Sequence, residues 1–277
     1  MAVKGGYLYR VGQMDVQNGN IMGIQSFIKP ARRMLFLAAL FLVAGILSAC
    51  SDDPLINAIQ DRDTHQVQAL LDQGNPVDVV NRAGDSALAI AIRDGQLDVV
   101  NLLLQHDVDV NAQGVMGVSP LMMAVSSGYI DVVRKLLDRG ADINHVDNSG
   151  NTALNILPIE DQPEMVRLLI DHGADVHKGN FLGLNSLMVA GYLGHIKTIE
   201  LLLEQGVDVN ARMRTGQTAL MRAAHQGKTG VVRRLIEAGA EVNVRDNDNE
   251  SALTLALKQG HDETADVLRQ SGATLQP

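Results

Sequence analysis

The sequence predicts an all-α solenoid of helix–turn–helix units that repeat every 33 residues. Glycines recur at this spacing from Gly84 to Gly216, with Asn249 at the next step. A leucine series from Leu70 to Leu268 keeps the same spacing without a gap. A fixed period over so many units indicates that each unit packs mainly on its neighbours. The 277 residues also include no Trp, four Tyr and four Phe, which predicts an aliphatic core.

The segment 1–49 has the layout of a secretory signal peptide. Basic residues that end at Arg33 precede an uninterrupted apolar run over 34–47. A helix of that length spans about 21 Å, which is shorter than the bilayer's hydrocarbon core of about 30 Å. A start at Met22 gives this run a short basic lead, as a signal peptide requires. We therefore predict that residues 1–21 are a wrongly assigned upstream extension.

The apolar run ends in Leu47-Ser48-Ala49-Cys50, which resembles the lipobox of bacterial lipoproteins. The resemblance implies that the Cys50 thiol carries acyl chains such as palmitate and that Cys50 is the mature N-terminus. The alternative is an ordinary buried cysteine after a signal anchor. In such lipoproteins an Asp directly after the Cys favours the inner membrane. Because Ser51 fills that place, we expect the outer membrane, facing the periplasm.

Within one unit the pattern predicts two short helices and an extended turn, as residues 114–146, the third unit, illustrate. Ser119 suits an N-cap and Pro120 the first helical position, and Gly128 ends this first helix. Apolar residues at helical spacing over 130–137 predict a second helix. Gly140 ends that helix in the left-handed conformation that glycine tolerates.

We place the repeat domain at residues 50–277, with unit 1 as the N-terminal cap and unit 7 as the C-terminal cap. The seven units span 50–80, 81–113, 114–146, 147–179, 180–212, 213–245 and 246–277.

Two units depart from the pattern. In unit 2, Asp107 replaces the glycine after the second helix, and we expect it to adopt the left-handed conformation at a cost of about 1 kcal/mol. In unit 4, Pro158 falls late in the first helix, although Pro163 suits a helix start. We predict a shortened first helix and a distorted joint there. Either a tolerated irregularity or a hinge or specialised binding feature accounts for it.

These residues resemble the ankyrin repeat over about residues 53–277. Unit 6 carries the pattern nearly in full, with Thr218-Ala219-Leu220, Ala223-Ala224, Gly227, Val231-Val232, Leu235-Ile236 and Gly239-Ala240-Glu241-Val242-Asn243. The resemblance implies an ankyrin solenoid with short β-turn tips. It also implies that partners bind the turn tips and the exposed side of the first helices, on the concave face. The family's usual His after its Thr-Pro-Leu motif is missing, so we expect that its hydrogen bonds are missing too. The residues at the positions of this histidine are Ala89, Met122, Asn155, Met188, Met221 and Thr254.

No motif in the sequence points to catalysis. The eight His residues show no zinc-binding spacing, and Gly117-Val118-Ser119-Pro120 lacks the second glycine of a nucleophile elbow. The net charge of −9 argues against a nucleic-acid binder. We therefore predict no catalytic residue, metal site, cofactor or small-molecule substrate, and we expect a monomer.

The candidate binding residues are apolar side chains at positions where an ankyrin turn is usually polar. Exposed apolar patches mark interaction sites, and aromatic anchors are candidate hot spots. The alternative is that these side chains pack against neighbouring turns. The predicted protein-binding residues are Met116, Val118, Ile159, Phe181, Leu182, Leu184, Tyr192 and Leu193. Neither these two aromatics nor Tyr129 is expected in the core. A basic flank of Arg212, Arg214 and Arg222 suits an acidic partner segment or is simply a solvated face.

The resulting hypothesis is a lipid-anchored envelope protein that binds another protein, of unknown identity. It would act as an inhibitor or immunity factor, or as a scaffold, for a periplasmic or secreted enzyme. The alternatives are an architectural envelope component without a specific partner and an enzyme that uses the concave face.

Overall fold

The computed structural model describes residues 53–275, and this part of the chain is an all-α solenoid, as predicted. Its helices, in chain order, are α1 (Pro54–Gln60), α2 (Thr64–Asp72), α3 (Ala87–Arg93), α4 (Leu97–Leu103), α5 (Pro120–Ser126), α6 (Ile130–Asp138), α7 (Pro163–Asp171), α8 (Ser186–Leu193), α9 (Ile196–Glu204), α10 (Ala219–His225), α11 (Thr229–Glu237), α12 (Ala252–Lys258) and α13 (Asp262–Gln270). Two 3₁₀ turns cover Val115–Gly117 and Ala153–Asn155. None of these helices is long and apolar enough to cross a membrane.

The first helix of most units begins at a side-chain cap. In unit 3, the Ser119 hydroxyl accepts a hydrogen bond from the Met122 amide at 3.3 Å, and Pro120 takes the first helical position. Both features agree with the sequence prediction. Such caps stabilise a helix by about 1 kcal/mol each, because they satisfy an amide that has no partner inside the helix. The capping residues are Asp53, Ser86, Ser119, Asn185, Thr218 and Ser251.

The core is aliphatic and lies between the two layers of helices. Every residue of α3 from Ala87 to Ile92 is buried, whereas α6 buries one face, which includes Leu136 and Leu137. Tyr129 is not expected in the core, and it is half-buried and packs against the core from outside. Its hydroxyl lies 2.9 Å from the place where a Cβ on Gly95 would be. A phenol ring of the next unit therefore covers the glycine that follows α3.

The second helices end at a glycine with positive φ, except in unit 2. After α6, Gly140 has φ +81°, and the Ala141 amide donates to the Leu136 carbonyl at 3.0 Å. The prediction that Asp107 adopts this conformation is wrong, because Asp107 is not among the residues with positive φ. Helix α4 instead has seven residues where α6 has nine. Ending the helix early avoids the cost of about 1–2 kcal/mol that a Cβ incurs in the left-handed region.

Unit 4 has a 3₁₀ turn, Ala153–Asn155, in place of an α-helix, which confirms the predicted shortening. Pro158 has no amide hydrogen to donate and its ring obstructs a helical turn. Pro163 takes the first position of α7, where a missing amide hydrogen has no cost. Stacking continues through this unit, since the 3₁₀ turn packs against α5 and α8.

A ladder of asparagines joins the turns of successive units on the side of the second helices. The Asn144 side chain accepts from the Asp175 amide at 2.9 Å and donates to the Gly173 carbonyl at 3.0 Å. Asn111, Asn210 and Asn243 make the equivalent pairs of bonds. His177 occupies this position in unit 4, and an imidazole has no carbonyl oxygen to accept from the next unit. The joint between units 4 and 5 thus lacks a link that its neighbours have.

Candidate protein-binding face

The turn tips of units 3 to 7 are joined by a row of backbone hydrogen bonds. In each case an amide of one tip donates to a carbonyl of the preceding tip, at 2.9–3.1 Å. The donor and acceptor pairs are Asn148 to Met116, Phe181 to Ser149, Arg214 to Leu182 and Asn247 to Thr215. Because these bonds fix neighbouring tips to one another, side chains at the tips stand on a continuous frame.

Unit 5 has a second constraint within its own tip. The Asn180 side-chain oxygen accepts from the Leu182 amide at 2.9 Å and from the Leu184 amide at 3.1 Å. An Asn side chain that binds its own turn in this way holds the backbone in one conformation. Leu182 is therefore presented to solvent from a fixed turn, with 55% of its surface exposed.

Four of the eight predicted binding residues are exposed, and three others are not. Met116, Ile159, Phe181 and Leu182 each have half or more of their surface exposed. Val118, Leu184 and Leu193 are half-buried and pack against the core, so the structure does not place them on the exposed face. Val118 and Leu184 lie where the tip closes on itself, since their carbonyls accept from the amides of Gly114 and Asn180 at 2.9 Å. At these two positions the side chains therefore pack against the core.

Sequence reasoning left out Val146 and did not commit to Val115. They are 37% and 45% exposed, and both stand in or beside the tips of units 3 and 4. Val146 stands directly before the turn that begins at Asp147, and this position in the sequence could have predicted that it is exposed beside the tip. We call the exposed apolar side chains of this region the apolar patch, which consists of Val115, Met116, Val146, Ile159, Phe181 and Leu182. Exposed Val80, Leu97, Ile196 and Leu275 lie outside this group.

Met116 adopts a backbone conformation that an unbranched apolar residue rarely has. Its φ is +62° and its ψ is +19°, in the left-handed region. A non-glycine residue there costs about 1–3 kcal/mol unless its side chain makes a local hydrogen bond, which Met cannot do. Strain of this kind collects at functional positions. The conformation places Met116 half-exposed at the tip of unit 3.

Phe181 packs on the glycine of the preceding tip. A Cβ added to Gly150 would lie 2.7 Å from Cδ1 of the ring, so the ring covers this glycine closely. The remaining 60% of the side chain is exposed. Tyr192 is half-buried in α8, and the Arg222 guanidinium of α10 lies 4.9 Å from the centre of its ring. Such a cation–π contact joins the first helices of units 5 and 6.

Comparison with known proteins supports the assignment of this fold. A family model of ankyrin repeats in three copies matches residues 17–114, 55–147, 121–213 and 187–276, in overlapping segments that together cover most of the chain. The chain belongs to the ankyrin-repeat family. No curated protein matches it. Ankyrin repeats are typically non-catalytic modules that bind proteins, which agrees with a binding face at the tips.

The ankyrin array holds the irregular segment of unit 4 by contacts from unit 5. The buried His195 places Nε2 2.8 Å from the Ile159 carbonyl oxygen. The Asp161 carboxylate accepts from the Thr198 hydroxyl at 2.7 Å and from the Lys197 amide at 3.0 Å, which caps the first turn of α9. These bonds hold the Ile159 backbone and the Asp161 side chain, on either side of Glu160, and Ile159 is left 60% exposed.

One buried ion pair stands beside the tips of the ankyrin array. Arg93 Nη1 lies 2.5 Å from Asp85 Oδ2, and the Asp85 side chain is only 4% exposed. The other oxygen of this carboxylate accepts from the Val115 amide at 3.3 Å. Asp85 therefore makes the link between units 2 and 3 that backbone carbonyls make elsewhere. Within residues 53–275, no cluster of His, Cys, Asp and Glu is arranged to hold a metal ion.

Proposed function

We propose that this ankyrin-repeat protein binds another protein through the apolar patch. The observation that carries the proposal is that half-exposed apolar side chains stand on a hydrogen-bonded frame at the turn tips of units 3 to 5. Single exposed apolar side chains are ordinary, whereas a group on a rigid support is typical of an interaction site. Phe181 is the aromatic member of the group and the candidate hot spot.

We further propose that the protein is anchored in a bacterial envelope by acyl chains on Cys50, in the outer membrane and facing the periplasm. Cys50 and the signal peptide lie outside the described residues, and the proposal is supported by the lipobox-like sequence alone. Several acyl chains bind a bilayer far more firmly than one, at about 0.8 kcal/mol per buried methylene. The chain after residue 50 carries 18 basic and 31 acidic residues, so its charge does not assist binding to an anionic surface.

In this setting the bound partner is a periplasmic or secreted enzyme. The ankyrin array inhibits it, protects the cell from it as an immunity factor, or holds it at the membrane as a scaffold. All three roles need the same contact at the apolar patch, and none needs catalysis by this chain.

The test of partner binding is quantitative affinity capture of the full chain from detergent-solubilised envelopes. Phe181→Asp places a charge in the patch and is expected to reduce the captured partner by about tenfold or more. Leu97→Asp is the matched control, because Leu97 is also exposed but begins a second helix. If Phe181→Asp and Leu97→Asp recover the same proteins in the same amounts, the patch is not the binding site and an architectural role is favoured.

Lipidation has a separate test. Cys50→Ala removes the only thiol in the chain, so it is expected to move the protein from the membrane fraction to the soluble fraction. Membrane association that survives this substitution would contradict the anchor.

A further inference from the structure

The turn tips of units 2 to 6 differ in charge from the tip of unit 7, where Asp248 is exposed, and from the rest of this acidic protein. Each of these tips contains one of the glycines that recur every 33 residues from Gly84 to Gly216. The comparison covers the two residues before each of these glycines and the one residue after it. In units 2 to 6 the only carboxylate among them is Asp85, which is buried and paired with Arg93. The exposed charged residues at these positions are Arg82 and Arg214. Because the chain has a net charge of −9, its acidic residues must be concentrated elsewhere.

Many of these acidic residues lie on the second helices and in the turns that follow them. Asp131 and Glu164 lie in the first turns of α6 and α7, and exposed Asp142 and Asp175 follow the same helices. A charge distribution of this kind steers an anionic partner toward the tips and away from the second helices.

Arg214, at the tip of unit 6, is continuous with the apolar patch. The Arg214 amide donates to the Leu182 carbonyl at 2.9 Å, so the two residues are direct neighbours. The Arg214 side chain is exposed, and no carboxylate in the described part of the chain forms an ion pair with it. Arg212 donates to the backbone carbonyls of Gly216 and Arg245, which do not neutralise its charge.

One exposed acidic residue lies beside Ile159 of the patch. Glu160 is exposed and follows Ile159 in the irregular segment of unit 4. Along the stack, Phe181 and Leu182 at the tip of unit 5 are followed by exposed Arg212 at the end of unit 5 and exposed Arg214 in unit 6.

We propose that the partner presents an apolar side chain that packs on Phe181 and Leu182, followed by carboxylates that pair with Arg214 and Arg212. This inference rests on the proposed function and adds the chemistry of the partner. An exposed guanidinium that meets a carboxylate bidentately gives geometric specificity as well as attraction. A basic partner segment would meet these arginines beside the patch and be repelled.

The test uses a phage library of random twelve-residue peptides, selected on the detergent-solubilised full chain. Peptides that bind the wild type but not Phe181→Asp are expected to carry Asp or Glu beside an apolar residue. Arg214→Glu is expected to weaken these peptides by about fivefold in fluorescence anisotropy, and by less at high salt. Arg233→Glu is the matched control, because Arg233 is exposed on α11, a second helix.

The outcomes separate the two proposals. Peptides that depend on Phe181 but have no excess of acidic residues, or an excess of basic ones, overturn the inference and leave the proposed function standing. The absence of any peptide that depends on Phe181 counts against both.

Discussion

The imidazole of His195 donates from Nε2 to the carbonyl oxygen of Ile159, at 2.8 Å, across the joint between units 5 and 4. Gln96, at the same repeat position as His195, makes a comparable bond three joints nearer the N-terminus, from Nε2 to the Ile59 carbonyl, also at 2.8 Å. In unit 1 the acceptor belongs to a regular helix, whereas in unit 4 it belongs to a segment without one. The bond in unit 4 therefore replaces support that a helix would give.

The first prediction concerns this bond. His195→Leu leaves the Ile159 carbonyl without its donor and is expected to lower the free energy of unfolding by about 1–3 kcal/mol. His195→Gln is expected to retain most of that stability, because Gln96 shows that an amide at this repeat position reaches a carbonyl of the preceding unit. Urea unfolding followed by circular dichroism measures both, with exposed His65→Leu as the control. Equal losses for the Leu and Gln variants would contradict a specific hydrogen bond.

The second prediction concerns the strain at Met116. Met116→Gly removes the side chain from a residue with φ +62° and is expected to leave the free energy of unfolding unchanged or raise it by up to about 1 kcal/mol. It is also expected to weaken partner capture, because an exposed apolar side chain is lost. Clear destabilisation of the variant would show that Met116 is retained for packing. Full capture of the partner would show that the Met116 side chain does not contribute to binding.

The third prediction compares two glycines with the same backbone requirement. Gly84 has φ +89° and open space around it, whereas Gly150 has φ +79° and lies under the Phe181 ring. Gly84→Ala is expected to cost about 1–2 kcal/mol of stability, for the conformation alone. Gly150→Ala is expected to cost more and to reduce partner capture, because the ring must move. Equal effects on stability, with capture intact, would mean that the position of Phe181 does not matter.

The fourth prediction concerns the gap in the asparagine ladder. His177→Asn restores an amide at the position that Asn144 and Asn210 occupy in neighbouring units. The new side chain is expected to accept from the Asp208 amide and to raise the free energy of unfolding by about 1 kcal/mol. Asn210→Ala is the reciprocal control and should lower stability by a similar amount. Loss of stability in His177→Asn would show that the irregular unit 4 shifts this joint out of register.

Most of the fold follows from periodicity, because a repeating unit leaves few alternatives for its helices. Ser119 and Pro120 predict the start of α5 from residue chemistry alone, and Pro158 predicts that unit 4 lacks a full first helix. The error at Asp107 came from assuming that every unit keeps the same helix length. Shortening α4 was an alternative that the spacing of the apolar residues did not reveal.

The binding face was less predictable than the fold. Register places Val118 and Leu184 near the tip, but the direction of a side chain depends on where each turn closes, and the structure turns both toward the core. The contact of His195 with Ile159 spans 36 residues and involves the segment of unit 4 that lacks a regular first helix. Gln96 makes the comparable bond at the same repeat position, but the two residues differ in type, so the sequence pattern did not reveal it.

The central claim is that a protein partner lies against Phe181, and site-specific photo-crosslinking tests it most directly. Benzoylphenylalanine is introduced at position 181 in the full chain and, as the control, at exposed position 97 on α4. Irradiation of intact cells is expected to give a defined crosslinked protein from position 181 and none from position 97. No adduct at 181, or the same adducts at both positions, would contradict the claim.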